Sequence, residues 1–325
     1  MSGSPRVSVI TANYNGAAYL EAAVRAVLDQ TLEDLELIIV DDRSSDDSVA
    51  VIARAVAGDP RVRVLVQEVN AGPGAARNRG FDAACGTWLA VFDSDDLMTP
   101  DRLQRLVARG EADRADIVVD NLAVFTEGVG GVKPFLKGRA YAAARWIGLA
   151  DYISAGRMYA RGPGLGYLKP LFRADALNGQ RYRADLKIGE DYDLVVRLLA
   201  QGRTMRLEPE ALYRYRKHGA SISHVLRREH LLQMIAADVA LDGIMMSQPR
   251  AARKAQAARR RSLHAALTYD EVVTLLKAGD VVGGLRTAVA APEIWPLLRL
   301  PVLARVRRVG SWFGHGFGGG WREVQ

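Results

Sequence analysis

Cysteine is almost absent from this sequence, because Cys85 is the single one among 325 residues. An internal disulfide and a cysteine-based metal site are therefore excluded, and the composition favours a reducing compartment. Long apolar runs are also missing: without about 18 uninterrupted apolar residues, a membrane-spanning helix is not expected. The opening MSGSPRVSV has no apolar signal core, so we expect no secretion.

The remaining composition is that of an ordinary folded protein, with 49% hydrophobic and 25% charged residues. A chain of this length can bury a large core, either as one big α/β domain with an appendage or as two domains. The net charge of +7 is unevenly placed, since residues 225–325 hold 15 lysines and arginines against 8 acids and residues 1–224 hold 29 of each. This distribution predicts an acid-binding surface near the C-terminal end and argues against a nucleic-acid partner.

The first 120 residues alternate between strand and helix patterns. Apolar, β-branched runs predict strands, and apolar positions at helical spacing predict the helices between them. The predicted elements are VSVITAN, AAYLEAAVRAVLDQ, LELIIVDD, SSDDSVAVIARAVAG, VRVLVQEV, GPGAARNRGFDAAC and WLAVFD. Strands this apolar, interleaved with helices, predict an α/β fold with a parallel sheet covered on both faces.

Polar clusters follow three of the predicted strands. They are Asn13-Tyr14-Asn15, Asp41-Asp42 and Asp93-Ser94-Asp95-Asp96. Acids also favour the positive end of a helix, so capping alone could account for any one cluster. In parallel sheets, however, ligands bind beyond the carboxyl ends of the strands, and three strand ends converge on that edge. Clustered carboxylates there are the ligands that Mg²⁺ or Mn²⁺ prefers.

These segments, in this order, resemble the family 2 glycosyltransferases, nucleotide-sugar enzymes of the GT-A fold. The resemblance covers about residues 6 to 224 and rests on VSVITANYN, VDDRSSDDS, NAGPGAARNRG, FDSDD, GEDYDLVVRL and YRYRKHGASIS. It implies a Rossmann-like, mostly parallel sheet with helices on both faces. We expect a catalytic domain over residues 1–224 and a helical region over residues 225–325. The chain departs from the family near the nucleotide base, with Ala12-Asn13 in place of a frequent Pro-Thr and Arg43 in place of a frequent glycine.

The resemblance also implies a metal site and a donor site. A divalent cation, Mn²⁺ or Mg²⁺, stabilises the charge that develops on a nucleoside diphosphate as the sugar leaves. Asp95 is implied as one metal ligand and His218 as a second, although a lone histidine is more often a hydrogen-bonded surface residue. The residues implied to bind the nucleotide sugar, with UDP as the expected nucleotide, are Ala12, Asn13, Tyr14, Asp42, Arg77, Asp93 and Ser94.

Three of these residues, and Asp96 beside them in the sequence, have predicted positions or alternative roles of their own. Asp93 is implied to lie by the ribose or the sugar. Asp42 should accept a hydrogen bond from the base, and its alternative is an N-cap for the helix after SSDD. Arg77 is implied to lie near the nucleotide and would otherwise be a solvated helix residue. We expect Asp96 to cap the next helix or to support the metal site.

A catalytic base is expected at "GEDYDLVVRL". A sugar hydroxyl is a poor nucleophile, so a positioned carboxylate must take its proton as the hydroxyl attacks. The resemblance implies Asp191 as that base and Glu190 as a neighbour or acceptor-binding residue. The alternative is a capping pair that opens an amphipathic helix, and both roles can hold together. A single displacement would invert the anomeric configuration, so an α-linked donor would give a β-glycoside.

The expected activity is metal-dependent transfer of a hexose to a hydroxyl of a glycan or lipid-linked glycan in cell-surface or exopolysaccharide synthesis. One alternative is a catalytically inactive nucleotide-sugar-binding homologue, against which Asp95, Asp191 and His218 together argue. Another is a nucleotidyltransferase, which would normally carry a glycine-rich phosphate loop where this chain has ANYNGAAYL. The segment 121–189 should supply one or two acceptor-binding aromatic residues, although buried aromatic residues are more often core. The candidates are Trp146, Tyr152, Tyr159 and Tyr167.

Helical patterns continue after residue 225. The last of them, PVLARVRRVGSWF, places apolar residues on one face and three arginines opposite. Such a basic amphipathic helix favours an anionic membrane surface, so we expect a cytoplasmic protein held peripherally on the inner face of the membrane through residues 295–313. The alternative is a helix that packs on the core or on a second subunit of a homo-oligomer.

Overall fold

The computed structural model describes residues 3–160, 162–218 and 226–298. Within these residues one mixed sheet forms the centre of the fold. Its strands are β1 (Val7–Asn13), β2 (Leu35–Asp41), β3 (Val62–Val66), β4 (Trp88–Val91), β5 (Leu97–Met98), β6 (Ile117–Thr126), β7 (Val129–Pro134), β8 (Arg145–Trp146), β9 (Leu171–Arg173) and β10 (Met205–Lys217).

Helices connect the strands and continue beyond them. They are α1 (Ala17–Leu28), α2 (Ser48–Val56), α3 (Pro73–Ala83), α4 (Arg102–Asp113), α5 (Leu149–Ala155), α6 (Glu190–Ala200), α7 (Arg228–Ala240), α8 (Asp242–Met245), α9 (Arg250–Lys277) and α10 (Val281–Ala290). Among the described residues, four short 3₁₀ turns lie at Arg139–Tyr141, Leu165–Tyr167, Ala174–Leu177 and Pro292–Ile294. The predicted α/β alternation and the helical C-terminal region are both confirmed.

The strand order is β3-β2-β1-β4-β9-β6-β10-β5, with β7 beside β6 and β8 beside β10. Strands β1 to β4 pair in parallel, as their apolar runs and intervening helices predict, and β6 pairs in parallel with β10. Strand β9 runs antiparallel between β4 and β6 and joins the two parallel parts. In this register Asn13 lies opposite Asp41. The polar residues that follow β1, β2 and β4 therefore share one edge of the sheet.

The main hydrophobic core extends from the sheet into the C-terminal helices. It includes β-strand residues such as Val9 and Ile39 together with Leu241, Met245 and Ala252 from the region after residue 225. A smaller apolar cluster joins α9 to α10 and the turn that follows. The division at residues 224 and 225 stays a prediction.

Two findings concern the C-terminal region and membranes. No helix among the described residues is long and apolar enough to cross a membrane. The predicted amphipathic helix over residues 295–313 lies outside the described residues from position 299 onward.

Candidate active site

The edge formed by β1 and β2 is a closed hydrogen-bonded cluster. The buried Asn13 side chain donates to Asp41 Oδ2 over 2.8 Å, and Asp41 also accepts from the Ser44 hydroxyl and amide. Ala12 is half-buried on the same strand, and half of the Tyr14 side chain is exposed beside it. The Tyr14 ring is outside this cluster and stays exposed at the carboxyl end of β1.

Asp42 is buried and holds the loop that leads into α3. Its carboxylate accepts hydrogen bonds from the amides of Ala71 (2.8 Å) and Gly72 (2.7 Å) and from the Gln67 side chain. The first amide of α2 instead binds Asp46 Oδ1, so the alternative in which Asp42 caps α2 is wrong. A carboxylate has about four acceptor positions, of which one remains on Asp42.

Arg77 lies at the centre of the site, and the alternative of a solvated arginine is wrong. Its buried guanidinium, on helix α3, reaches Asp93 Oδ1 at 2.9 Å, Glu190 Oε1 at 2.7 Å and Asp191 Oδ1 at 3.5 Å. Burial by itself would lower the pKa of Arg77, but the three carboxylates outweigh it and raise that pKa well above its ordinary value. Arg77 thus joins the acids after β4 to the acids of α6.

Lys169 is a second cation in the site, and the sequence reasoning missed it. The buried Nζ atom lies 2.6 Å from Asp93 Oδ2 and 3.6 Å from Asp191 Oδ2. Burial alone would lower the pKa of Lys169, but these two carboxylates raise it well above the ordinary range. The available signal was a lone charged residue in the apolar segment GYLKPLF, directly before β9.

The two predicted acids of α6 are presented by its first turn. Gly189 precedes them with φ = +90°, a left-handed conformation that suits glycine, and no side chain caps the helix. Glu190 is buried against Arg77, and burial followed by the charge of Asp191 raises the pKa of Glu190. Asp191 keeps a partly exposed carboxylate between Arg77 and Lys169. Glu190 and Asp191 therefore lie both in the first turn of α6 and in the carboxylate cluster, a combination that the sequence allowed.

The carboxylates of Asp93, Asp95 and Asp96 come within 4.8 Å of one another. Burial alone would raise the pKa of Asp93, but Lys169 and Arg77 hold it well below its usual range. Asp96 is buried and accepts from the Tyr213 hydroxyl and the Arg216 amide, each over 2.7 Å. Burial, and then the charges of Asp93 and Asp95, raise the pKa of Asp96 well above normal.

Asp96 does not cap a helix, because α4 begins at Arg102 with Asp101 at its N-cap position. The expectation of a helix cap is therefore wrong at Asp96. The residue fastens the turn after β4 to β10 instead, through the two hydrogen bonds that its carboxylate accepts.

Asp95 and His218 fit a divalent cation. Asp95 Oδ2 lies 2.8 Å from His218 Nε2, and the Asp95 side chain is one-third exposed. Two neighbouring ligands of an octahedral ion, each about 2.1 Å from it, lie about 3 Å apart. Arg77 and Lys169 already pair with Asp93, and the Tyr213 hydroxyl already donates to Asp96. Of the three acids in this turn, Asp95 is therefore the one that is open to an ion. Ser94 is half-buried on the same turn.

The aromatic candidates separate into core and surface. Tyr152 is buried and stacks on Tyr192 with ring centroids 5.6 Å apart, so it is a core residue. Tyr159 is half-buried against Tyr269. Trp146 and Tyr167 remain substantially exposed. Trp146 lies beside Arg206 at the amino end of β10, with that guanidinium 5.0 Å from its ring centroid, whereas the acids contact the carboxyl end of β10. Tyr167 is therefore the remaining candidate for contact with an acceptor sugar.

Comparisons of the sequence find similar proteins over most of this chain. A sequence model described as Glycosyl transferase family 2 matches residues 8–163. The succinoglycan biosynthesis protein ExoO of Rhizobium meliloti is 38% identical over 319 residues, which cover 96% of this chain and 89% of that protein. ExoU, a second succinoglycan biosynthesis protein of that organism, is 32% identical over 78% of this chain and 73% of its own length.

Solved structures share the fold at low sequence identity. S. aureus TarS 1-349, in complex with UDP-GlcNAc, is 18% identical with a TM-score of 0.61, over 89% of this chain and 91% of that one. The mannosyltransferase PcManGT from Pyrobaculum calidifontis, in complex with GDP-Man and Mn²⁺, is 17% identical with a TM-score of 0.60, over 96% of this chain and 84% of that one.

Proposed function

This chain belongs to glycosyl transferase family 2, and we propose that it is an inverting, metal-dependent hexosyltransferase. The donor is a nucleoside diphosphate sugar, with UDP as the proposed nucleotide. The acceptor is a hydroxyl of a glycan or lipid-linked glycan in exopolysaccharide synthesis, as the names of the two succinoglycan relatives suggest. The observation that carries this proposal is the pair of acid clusters, Asp93-Asp95 and Glu190-Asp191, held together by Arg77 and Lys169.

The donor is proposed to lie along the carboxyl edge of β1, β2 and β4. Asp42 has an acceptor position left for a base N–H, and Tyr14 offers an exposed ring near it. Asp95 and His218 would hold Mn²⁺ or Mg²⁺, which neutralises the diphosphate leaving group. Asp93, whose two oxygens pair with Arg77 and Lys169, is proposed to lie by the ribose or the sugar. The relatives that bind UDP-GlcNAc or GDP-Man with Mn²⁺ support a nucleotide sugar and a metal.

Asp191 is proposed to take the proton. As the acceptor oxygen forms its bond to the anomeric carbon, the acceptor hydroxyl gives its proton to the Asp191 carboxylate. The bond from the anomeric carbon to the diphosphate breaks with its electron pair, and the configuration inverts. Glu190 pairs with Arg77 and is proposed to be a neighbour of the base or an acceptor-binding residue. The Lys169 ammonium lies between the carboxylates of Asp93 and Asp191.

A peripheral position on an anionic, cytoplasmic membrane face is also proposed. Helix α10 exposes an apolar face, whose four residues are more than half exposed: Val281, Val282, Leu285 and Val289. The chain then continues through residues 299–325, which hold five arginines against one acid. Apolar burial and basic charge together suit an anionic lipid surface.

The reaction is tested with a panel of nucleotide sugars, incubated with and without Mn²⁺ and scored for release of nucleoside diphosphate and for transfer to an added glycan. Wild type should turn over at least one donor in a metal-dependent way. Asp191→Asn should bind donor normally and lose about 10²–10⁴ in rate, the usual cost of a lost general base. Asp185→Asn, a surface carboxylate, is the matched control.

Two outcomes would refute the assignment. Donor binding without turnover by wild type would indicate an inactive nucleotide-sugar-binding homologue. Normal transfer by Asp191→Asn would place the base elsewhere.

A further inference from the structure

Tyr192 follows the proposed base directly, yet no hydrogen bond to a described residue fixes its side chain. The Tyr192 hydroxyl is buried and has no partner among the described residues. The start of α6 also lacks a side-chain cap, as noted above. Ion pairs to Arg77 and Lys169 hold the carboxylates of Glu190 and Asp191, and the packing against the Tyr192 ring is a second constraint on the position of this first turn.

Two contacts from α5 reach that ring. Tyr152 stacks on it at an interplanar angle of 16°. Gly156, just after α5, approaches so closely that a Cβ atom there would lie 2.4 Å from Tyr192 Cε2. Only glycine allows this approach, so the end of α5 and the ring of Tyr192 are matched to each other in shape.

The third contact comes from the C-terminal region. The Arg259 guanidinium, on α9, lies over the Tyr192 ring with its Cζ atom 3.9 Å from the ring centroid. A cation this close to an aromatic face is attracted by the ring, most strongly where water is excluded. Arg259 is almost fully buried, and its Nε atom also donates to the Gly156 carbonyl over 3.2 Å. One side chain of α9 thus holds both the ring and the loop against which the ring packs.

A buried acid fixes Arg259 in turn. Asp238, on α7, has a completely buried side chain and binds Arg259 Nη1 at 2.9 Å. The same carboxylate binds Arg260 Nε at 2.8 Å, and Arg260 extends to the exposed Asp242. Arg260 also pairs with Asp238, but its other ion pair is with Asp242, and it is Arg259 that contacts Tyr192. The chain therefore contains a matched pair of arginines, of which one touches the catalytic helix.

We infer that Arg259 is a positioning residue for catalysis, which holds Tyr192 and through it sets the place of Asp191. Asp238 supports Arg259, so these two residues connect the region after residue 225 to the helix that carries the proposed base. This inference rests on Asp191 as the proposed base. The contacts of Arg259 are with Tyr192, Gly156 and Asp238, and not with the residues proposed to bind the donor, so donor binding should be insensitive to Arg259.

The test compares Arg259→Met with Arg260→Met in the full chain. Both remove one guanidinium from Asp238, and in each variant the other arginine still pairs with that acid, so the fold should survive. Arg259→Met should lower kcat for transfer by roughly 10- to 100-fold, because a small misplacement of a reacting group costs about that much. Its KM for donor and its calorimetric UDP affinity should stay within about twofold of wild type. Arg260→Met should keep kcat.

Tyr192 variants supply an independent measurement in case Arg259→Met does not fold. Tyr192→Phe keeps the ring and should retain wild-type kcat, since the hydroxyl has no described partner. Tyr192→Leu removes the ring and should reproduce the loss of kcat with unchanged donor KM.

Three results would overturn the inference: wild-type kcat in Arg259→Met, an equal loss in Arg260→Met, or an equal loss of kcat and donor affinity in Tyr192→Leu. Asp191→Asn is measured beside them. If that variant transfers normally, the proposed function fails, whereas its inactivity beside a fully active Arg259→Met would reject only the positioning role.

Discussion

Replacing Lys169 by methionine removes the ammonium that Asp93 and Asp191 share and keeps most of the length of the side chain. Three carboxylates in the site, Asp93, Glu190 and Asp191, face two cations, Arg77 and Lys169. In the variant the same three acids face Arg77 alone. We therefore expect the unliganded protein to lose stability and the two acid clusters to move apart.

The magnitude follows from the distances. At an effective dielectric constant of about 20, a charge 2.6 Å from Asp93 and 3.6 Å from Asp191 gains roughly 6 and 5 kcal/mol. Desolvation of the buried ammonium, at several kcal/mol, and repulsion from Arg77 offset more than half of this gain. The remainder agrees with the loss of about 3–5 kcal/mol that is typical when one partner of a buried ion pair is removed.

The assay is urea unfolding, followed by tryptophan fluorescence in the absence of nucleotide and metal. Lys169→Met should lower the midpoint without changing the slope, since the surface exposed on unfolding is unchanged. The matched control is Lys187→Met, which alters an exposed lysine and should stay within about 0.5 kcal/mol of wild type. A loss below about 1 kcal/mol in Lys169→Met would refute the reasoning, because the ammonium would then not be neutralising the two acids.

Three further predictions concern the metal, the core and the membrane. Asp95→Ala should abolish Mn²⁺-dependent UDP binding in calorimetry while the circular dichroism spectrum stays unchanged; retained binding would remove Asp95 from the metal site. Gly110→Ala drives a Cβ to 2.5 Å from the ring of a core tryptophan and should cost about 1–3 kcal/mol in urea unfolding, whereas Gly130→Ala, with open space, should cost little. Val282→Asp, on the exposed face of α10, should reduce co-sedimentation with anionic liposomes. The control Val69→Asp, at another largely exposed valine, should not reduce it. Equal sedimentation of both variants would exclude α10 from the contact.

Much of the fold can be predicted from local sequence patterns, without knowledge of the tertiary structure. Strand and helix each impose a short period on apolar residues, so β1, α1, β2 and α2 follow from neighbouring positions alone. The parallel pairing of these strands follows from the helices between them. It places the residues after β1, β2 and β4 at one edge, which is why Asp93 and Asp95 could be grouped in advance.

The tertiary structure alone decided which side chains meet across long separations. Arg77 and Glu190 are 113 residues apart, and His218 and Asp95 are 123 apart, so no local period records either contact. The resemblance to a family identified these residues as site residues, but it did not identify the ion pairs between them.

Lys169 and Arg259 had no such support and were missed. Burial turns each of them from an ordinary surface cation into one that needs an acidic or aromatic partner, and burial is set by the packing of the whole chain. Asp96 illustrates the same limit, since its sequence suggested a helix cap and the approach of β10 gave its carboxylate two other donors. A sequence determines which residues can bear charge at an edge, and only packing determines which of those charges face one another.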